Sequence, residues 1–92
     1  MTTFTAEKEW FDAGMLEGRK QYKLTVMVSE RTVLQMHLCD EQTHKIYRKL
    51  GLPGAILIPG KQYTFNFITN TESRLHLMPM SLATVDFEVE QL

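Results

Sequence analysis

Four stretches of the chain alternate apolar and polar residues with a period of two. They cover residues 22–28, 34–39, 63–67 and 85–90. In the first stretch, for example, Leu24 and Val26 alternate with Lys23 and Thr25. Because successive side chains of a strand point to opposite faces, each stretch has one apolar face and one largely polar face. The pattern predicts antiparallel strands arranged around one core.

The length and the cysteine count limit the domain organisation. A chain of 92 residues is too short for two independent cores, so we expect a single domain over residues 1–92. Its one cysteine cannot form an internal disulfide, and no apolar run is long enough to span a bilayer. Residues 1–10 lack the basic-then-apolar order of a secretory signal. These features favour a cytoplasmic location.

An N-terminal helical segment is predicted within residues 1–18. Thr5 can cap a helix over residues 5–17, in which Trp10, Phe11 and Met15 provide an apolar side. Gly18 is a natural stop for that helix.

A second helix is predicted over residues 41–50. Asp40 is a suitable N-cap, and Gly51 and Pro53 together provide a stop. Lys45, Arg48 and Lys49 would give this helix a basic side, with Tyr47 beside them.

The remaining residues are predicted to form strands and turns. The strands are expected at residues 22–28, 32–39, 55–58, 62–69, 74–80 and 84–90. Ser29-Glu30 is interpreted as the turn of a hairpin between the first two. The predicted fold class is α+β and β-rich, with the order α-β-β-α-β-β-β-β in residues 1–92. This order is compatible with a β-grasp-like sheet or with a small barrel of the OB or SH3 type.

The strand over residues 74–80 is predicted to be apolar on both faces. If Leu75 and Leu77 face the core, His76, Met78 and Met80 lie on the opposite face. Flexible methionines suit a surface that must adapt to another protein, although Trp10 and Phe11 could instead cover it. A more remote alternative is a soft-metal (copper) site in which His37 and Cys39 join this face.

The charges are segregated along the chain. Residues 19–49 contain seven basic and three acidic residues, whereas residues 1–18 and 72–92 each contain four acidic residues and one basic residue. A basic centre can attract an anionic partner. Tyr47 with the neighbouring basic residues, and the aromatics of 63–67, therefore leave single-stranded nucleic-acid binding as an alternative function.

No arrangement of residues indicates catalysis or a cofactor. The chain has no phosphate-binding glycine loop and no nucleophile elbow. Cys39 is interpreted as a small buried apolar residue. We expect a non-catalytic protein-binding module, such as an inhibitor, an adaptor or a small subunit of an assembly, whose partner is another protein or a second copy of this chain. The residues expected to contact the partner are Tyr47, Lys45, Arg48, Lys49, His76, Met78 and Met80.

Overall fold

The alternating stretches form strands in the computed structural model, which describes residues 1–92 and contains no helix. The nine strands are β1 (Thr2–Ala6), β2 (Phe11–Leu16), β3 (Gln21–Val28), β4 (Thr32–Asp40), β5 (Ile46–Lys49), β6 (Ile56–Leu57), β7 (Tyr63–Ile68), β8 (Ser73–Pro79) and β9 (Ala83–Gln91). With no helix present, no helical element is long and apolar enough to cross a membrane.

The strands form two antiparallel sheets. The first sheet has the order β1-β9-β3-β7 and the second has the order β2-β8-β4-β5, with β6 also paired to β4. The connections from β4 to β5 and from β5 to β6 stay within the second sheet, and every other connection carries the chain from one sheet to the other. This strand order is that of a jelly roll, a sandwich of two sheets in which each sheet has one face towards the core.

The inner faces of the two sheets enclose a single cluster of 15 buried residues. The fully buried aliphatic residues are Leu24, Val26, Leu38, Leu75, Leu77 and Val85, which lie on the central strands β3, β4, β8 and β9. Burial of each such side chain contributes about 1.5–3 kcal/mol. The stacked rings of Phe4 and Phe11, with centroids 4.3 Å apart, connect β1 to β2 across the sandwich.

The prediction of a helix over residues 5–17 is wrong, because these residues form β1 and β2. Thr5 pairs with Thr84 of β9, and Phe11 pairs with Leu77 of β8. The backbone between the strands turns at Lys8, where φ is 55°. Long-range pairing with two strands from the other end of the chain outweighs the weak helical periodicity.

The predicted helix over residues 41–50 is also wrong, although its start signal is real. Asp40 accepts hydrogen bonds from the backbone N–H groups of Gln42 and Thr43, as an N-cap does. The N–H of His44 then donates to the carbonyl of Asp40, which closes one turn. At His44 the backbone becomes left-handed, with φ at 59°, and the chain enters β5 instead of continuing a helix.

The predicted strands are present, with small shifts at their ends. The α+β fold class is nevertheless wrong, since the chain is all-β, and neither the β-grasp nor the small barrel describes its two packed sheets. The hairpin at Ser29-Glu30 is wrong as well, because β3 lies in the first sheet and β4 in the second. Periodicity shows which face of a strand is apolar but not which strand is its neighbour.

Candidate functional site

The two outer faces of the sandwich differ in chemistry. Cross-strand partners share a face, and the register of the first sheet gives it an outer face rich in threonine and acidic residues. Its polar members are Thr3, Thr5, Gln21, Lys23, Thr25, Thr64, Asn66, Thr84, Asp86, Glu88 and Glu90. Met27 and Ile68 are the apolar exceptions. This face is typical of a sheet surface in contact with water.

The outer face of the second sheet combines apolar side chains with charged and imidazole groups. Two transverse rows cross all four of its strands, in the order β2, β8, β4 and β5. The apolar-ended row consists of Met15, Arg74, Cys39 and Ile46. The charge-ended row consists of Asp12, His76, His37 and Lys49. Beyond them, Met78 pairs with Gln35 and Val33 pairs with Ile56. Five exposed or half-buried sulfur or aliphatic side chains thus share this face: Met15, Val33, Ile46, Ile56 and Met78.

Cys39 and His76 form a contact within this face. The Sγ atom of Cys39 lies 3.3 Å from Nδ1 of His76, because β4 and β8 are neighbours. Burial raises the pKa of the Cys39 thiol, and the carboxylate of Asp12 raises it further. A raised pKa keeps the thiol protonated, so the pair lacks the thiolate character that a cysteine nucleophile requires.

Trp10 covers the imidazole of His37. The centroids of the two rings are 4.5 Å apart, and His37 is only 8 % exposed. Its Nδ1 is the one buried side-chain nitrogen or oxygen atom of the chain without a hydrogen-bond partner. Burial lowers the pKa of His37, and the nearby Lys49 and His76 lower it further. His37 is therefore a neutral, enclosed group at neutral pH.

Arg74 connects the face to two neighbouring segments. Its Nε donates to the carboxylate of Glu41 at 2.7 Å, and its Nη1 donates to Asp12 at 2.9 Å. The hydrogen bond and charge of Glu41, followed by those of Asp12, raise the pKa of Arg74. The ion pair with Asp12 connects β8 to β2, and the ion pair with Glu41 connects β8 to the turn that follows β4.

The side chains of β8 alternate between the two faces as the sequence predicts. Leu75 and Leu77 are fully buried, while His76 and Met78 are half-buried on the opposite face. Met80 follows the end of β8, and its N–H donates to the carbonyl of Val33. Pro79 is the last residue of β8, which is a central strand of the second sheet.

The predicted basic group is divided by the structure. Lys49 lies on the outer face of the second sheet opposite His37, and Lys45 lies exposed in the turn before β5. Arg48 instead donates to the carbonyl of Ile68 at 2.7 Å. Tyr47 packs against the core, and its hydroxyl is hydrogen-bonded to Ser73. There is therefore no basic helix surface, and Tyr47 is not exposed for stacking.

The sequence identified Trp10 as a residue that could cover this face, and its ring lies 6.4 Å from that of His76. Asp12, Met15 and Ile46 were not identified from sequence; they join the face because β2 and β5 are its edge strands. Trp10 is 45 % exposed despite its size, and it belongs to the segment mistaken for a helix. An alternation of apolar and polar residues over 11–16 would have been the signal, but a bulge between Asp12 and Met15 interrupts it.

The donors proposed for a soft-metal site are only partly brought together. The structure places Cys39 beside His76, and no group of three or more His, Cys, Asp or Glu side chains is arranged to hold a metal ion. The contact between Cys39 and His76 is accounted for by a hydrogen bond.

Comparison with known proteins gives no relative from which a role could be transferred. No protein-family model matches the sequence, and no curated protein and no solved structure gives a significant match.

Proposed function

We propose that this protein is a non-catalytic protein-binding module that receives its partner on the outer face of the second sheet. The observation that supports this most directly is the contrast between the two outer faces. One is dominated by threonine and acidic residues, whereas the other carries tryptophan, methionine and isoleucine side chains beside two imidazoles and the charged residues Asp12, Arg74 and Lys49. Exposed large apolar side chains gathered on one face of a small domain are typical of an interaction surface.

The residues of the face suit protein binding. Trp10 offers a large, half-exposed ring at the centre of the face, and tryptophan is a frequent source of binding energy at interfaces. Met15 and Met78 are flexible enough to fit an irregular partner. Asp12 and Lys49 lie at the two edges, as charged residues do around the apolar centre of an interface.

The chemistry of the face does not favour catalysis. Its thiol has a raised pKa, and its buried imidazole has no partner that would orient it as a base. A nucleophile needs an activating base and a third group that positions that base. We therefore assign the module to the class of inhibitors, adaptors or assembly subunits. We also propose a cytoplasmic location, which is consistent with the single free cysteine.

The test uses a matched pair of methionines. Met78 lies on the outer face of the second sheet and Met27 on that of the first, and both are half-buried on central strands. Wild type, Met78→Glu and Met27→Glu are compared by cross-linking in cell extract followed by mass spectrometry. Partners shared by wild type and Met27→Glu but lost from Met78→Glu are expected. Equal recovery by all three, with circular dichroism showing intact folds, would contradict the proposal.

A further inference from the structure

We propose that the occupant of the outer face of the second sheet is a second copy of this chain, related by a two-fold axis parallel to β8 and β4. This proposal rests on the protein-binding role of the face and names the partner. The observation that carries it is the order of residues in the charge-ended row. That row begins with Asp12 on one edge strand and ends with Lys49 on the other.

The symmetry determines which residues meet. When two sheets pack face to face about an axis parallel to their strands, each transverse row lies over the same row of the other copy with its order reversed. Asp12 of each copy then lies opposite Lys49 of the other. The interface thus gains two ion pairs of opposite charge from a single pair of residues, as a self-complementary two-fold interface requires.

The two charges are available for this contact. Lys49 is exposed and takes part in none of the three ion pairs of the chain. Asp12 binds Arg74 through Oδ2 and accepts the N–H of Gly14 at Oδ1, but each carboxylate oxygen has two lone pairs and the side chain remains 46 % exposed. It can therefore accept a further donor without losing Arg74.

The apolar-ended row agrees with the same axis at its two ends, while at its centre Arg74 of one copy lies over Cys39 of the other. In the apolar-ended row, Met15 of one copy lies over Ile46 of the other, and both residues are about half exposed in the single chain. In the charge-ended row, the two imidazoles lie at the centre, covered by Trp10. The axis therefore places the two tryptophans together in the middle of the interface, where binding energy concentrates.

The size of the face predicts a reversible dimer. Four strands spaced about 4.8 Å apart and about seven residues long cover roughly 19 by 23 Å, which is an area of about 440 Å². This area is smaller than the roughly 800 Å² that each partner contributes to a standard stable interface. The two ion pairs at the edges are then a substantial part of what selects this partner and orientation.

The experiment exchanges the charges of the row. Lys49→Asp places like charges opposite Asp12, and Asp12→Lys places like charges opposite Lys49, so each variant alone is expected to dimerise more weakly than the wild type. Mixing the two variants restores both opposite-charge contacts in a heterodimer. Sedimentation velocity measures association, and the emission of Trp10, the only tryptophan, is expected to shift to the blue when the dimer forms.

Reversal of both contacts between Asp12 and Lys49 should raise the dimer dissociation constant about tenfold or more, and mixing the two variants should recover most of the lost affinity. Lys20→Asp makes the same charge change at an exposed residue away from the face, and it should dimerise like the wild type. Circular dichroism establishes that each variant is folded.

Two results would overturn the dimer. One is a wild type that stays monomeric over a dilution series reaching about millimolar concentration, well above the micromolar range of weak specific contacts. The other is a mixture that associates no better than either folded variant. A wild-type monomer that still loses a cross-linked partner on Met78→Glu would reject the second copy and leave the protein-binding role intact. If the two charge variants associate as the wild type does and Met78→Glu keeps every cross-linked partner, both the dimer and the protein-binding role of the face are rejected.

Discussion

The indole ring of Trp10 covers the imidazole of His37 at a centroid distance of 4.5 Å, across the intervening strand β8. A residue that precedes an edge strand thereby closes the centre of the outer face of the second sheet. The contact removes His37 from water and leaves its Nδ1 without a partner. The acid response of the protein follows from this arrangement.

The first prediction concerns stability and pH. The pKa of His37 is lowered in the folded chain from 6.5, whereas in the unfolded chain it is near that value. Above pH 6.5 both states are neutral at this residue. As the pH falls below 6.5, the unfolded state takes up a proton first, so the free energy of unfolding decreases until the folded pKa is reached.

The measurement is urea unfolding of dilute protein at several values from about pH 7.5 to about pH 5.5. His37→Gln should reduce the loss of stability on acidification. His44→Asn is the matched control, because His44 is exposed and asparagine tolerates its positive φ. An unchanged slope in His37→Gln would show that the slope arises elsewhere.

The second prediction concerns the reactivity of the thiol. Cys39 is 6 % exposed, and burial together with Asp12 raises its pKa. At about pH 8, a disulfide reagent should modify the native chain at least about tenfold more slowly than the urea-unfolded chain. Asp12→Asn removes one cause of the shift and should accelerate the reaction, whereas Glu30→Gln, at an exposed acid outside the face, should not. Equal rates in the native and unfolded chains would refute the enclosed thiol.

The third prediction concerns the inward orientation of Tyr47. Its hydroxyl is hydrogen-bonded to Ser73 and accepts a bond from the N–H of Asn70 at 3.3 Å. Tyr47→Phe should lower the free energy of unfolding by about 1 kcal/mol, since Ser73 keeps its bond to the carbonyl of Thr71. Chemical denaturation measures the change. A stability equal to that of the wild type would indicate that this hydroxyl is free in solution.

The fourth prediction concerns nucleic acid. Single-strand binders use exposed aromatic rings beside basic groups, but Tyr47 faces inward and Arg48 is held by the carbonyl of Ile68. Phe67 is also buried, stacked on Tyr22. Fluorescence anisotropy with labelled mixed-sequence DNA and RNA single strands should therefore give flat curves even at low salt. Saturable binding that weakens steeply as salt rises would revive that alternative.

The strands could be predicted from sequence because their signal is local. Leu24 and Val26 are fully buried and Lys23 is not, as their alternation requires. The short strand β5 could not be predicted in this way, because Tyr47 and Arg48 both turn to the inner side at a bulge opposite Leu38 and Cys39. The start signal at Asp40 favoured a helix in the sequence, but in the structure the backbone makes only a single hydrogen-bonded turn there.

The candidate site was predictable only within single strands. The alternation over residues 74–80 correctly separated His76 and Met78 from Leu75 and Leu77. It contained no information about Trp10, Asp12 or Lys49, which reach the same face from other strands. The basic residues near Lys49 were grouped on a helix that does not exist, so their separation by the sheet was not foreseen.

The sequence by itself determined which side of each long strand is apolar, since the two-residue period of side chains is a property of the strand alone. Only the tertiary structure decided which strands are neighbours. Asp12 and Arg74 meet across 62 positions of the chain, and Cys39 and His76 meet across 37. Such pairing depends on how two apolar sheet faces bury each other, which involves the whole chain, and no local pattern encodes it.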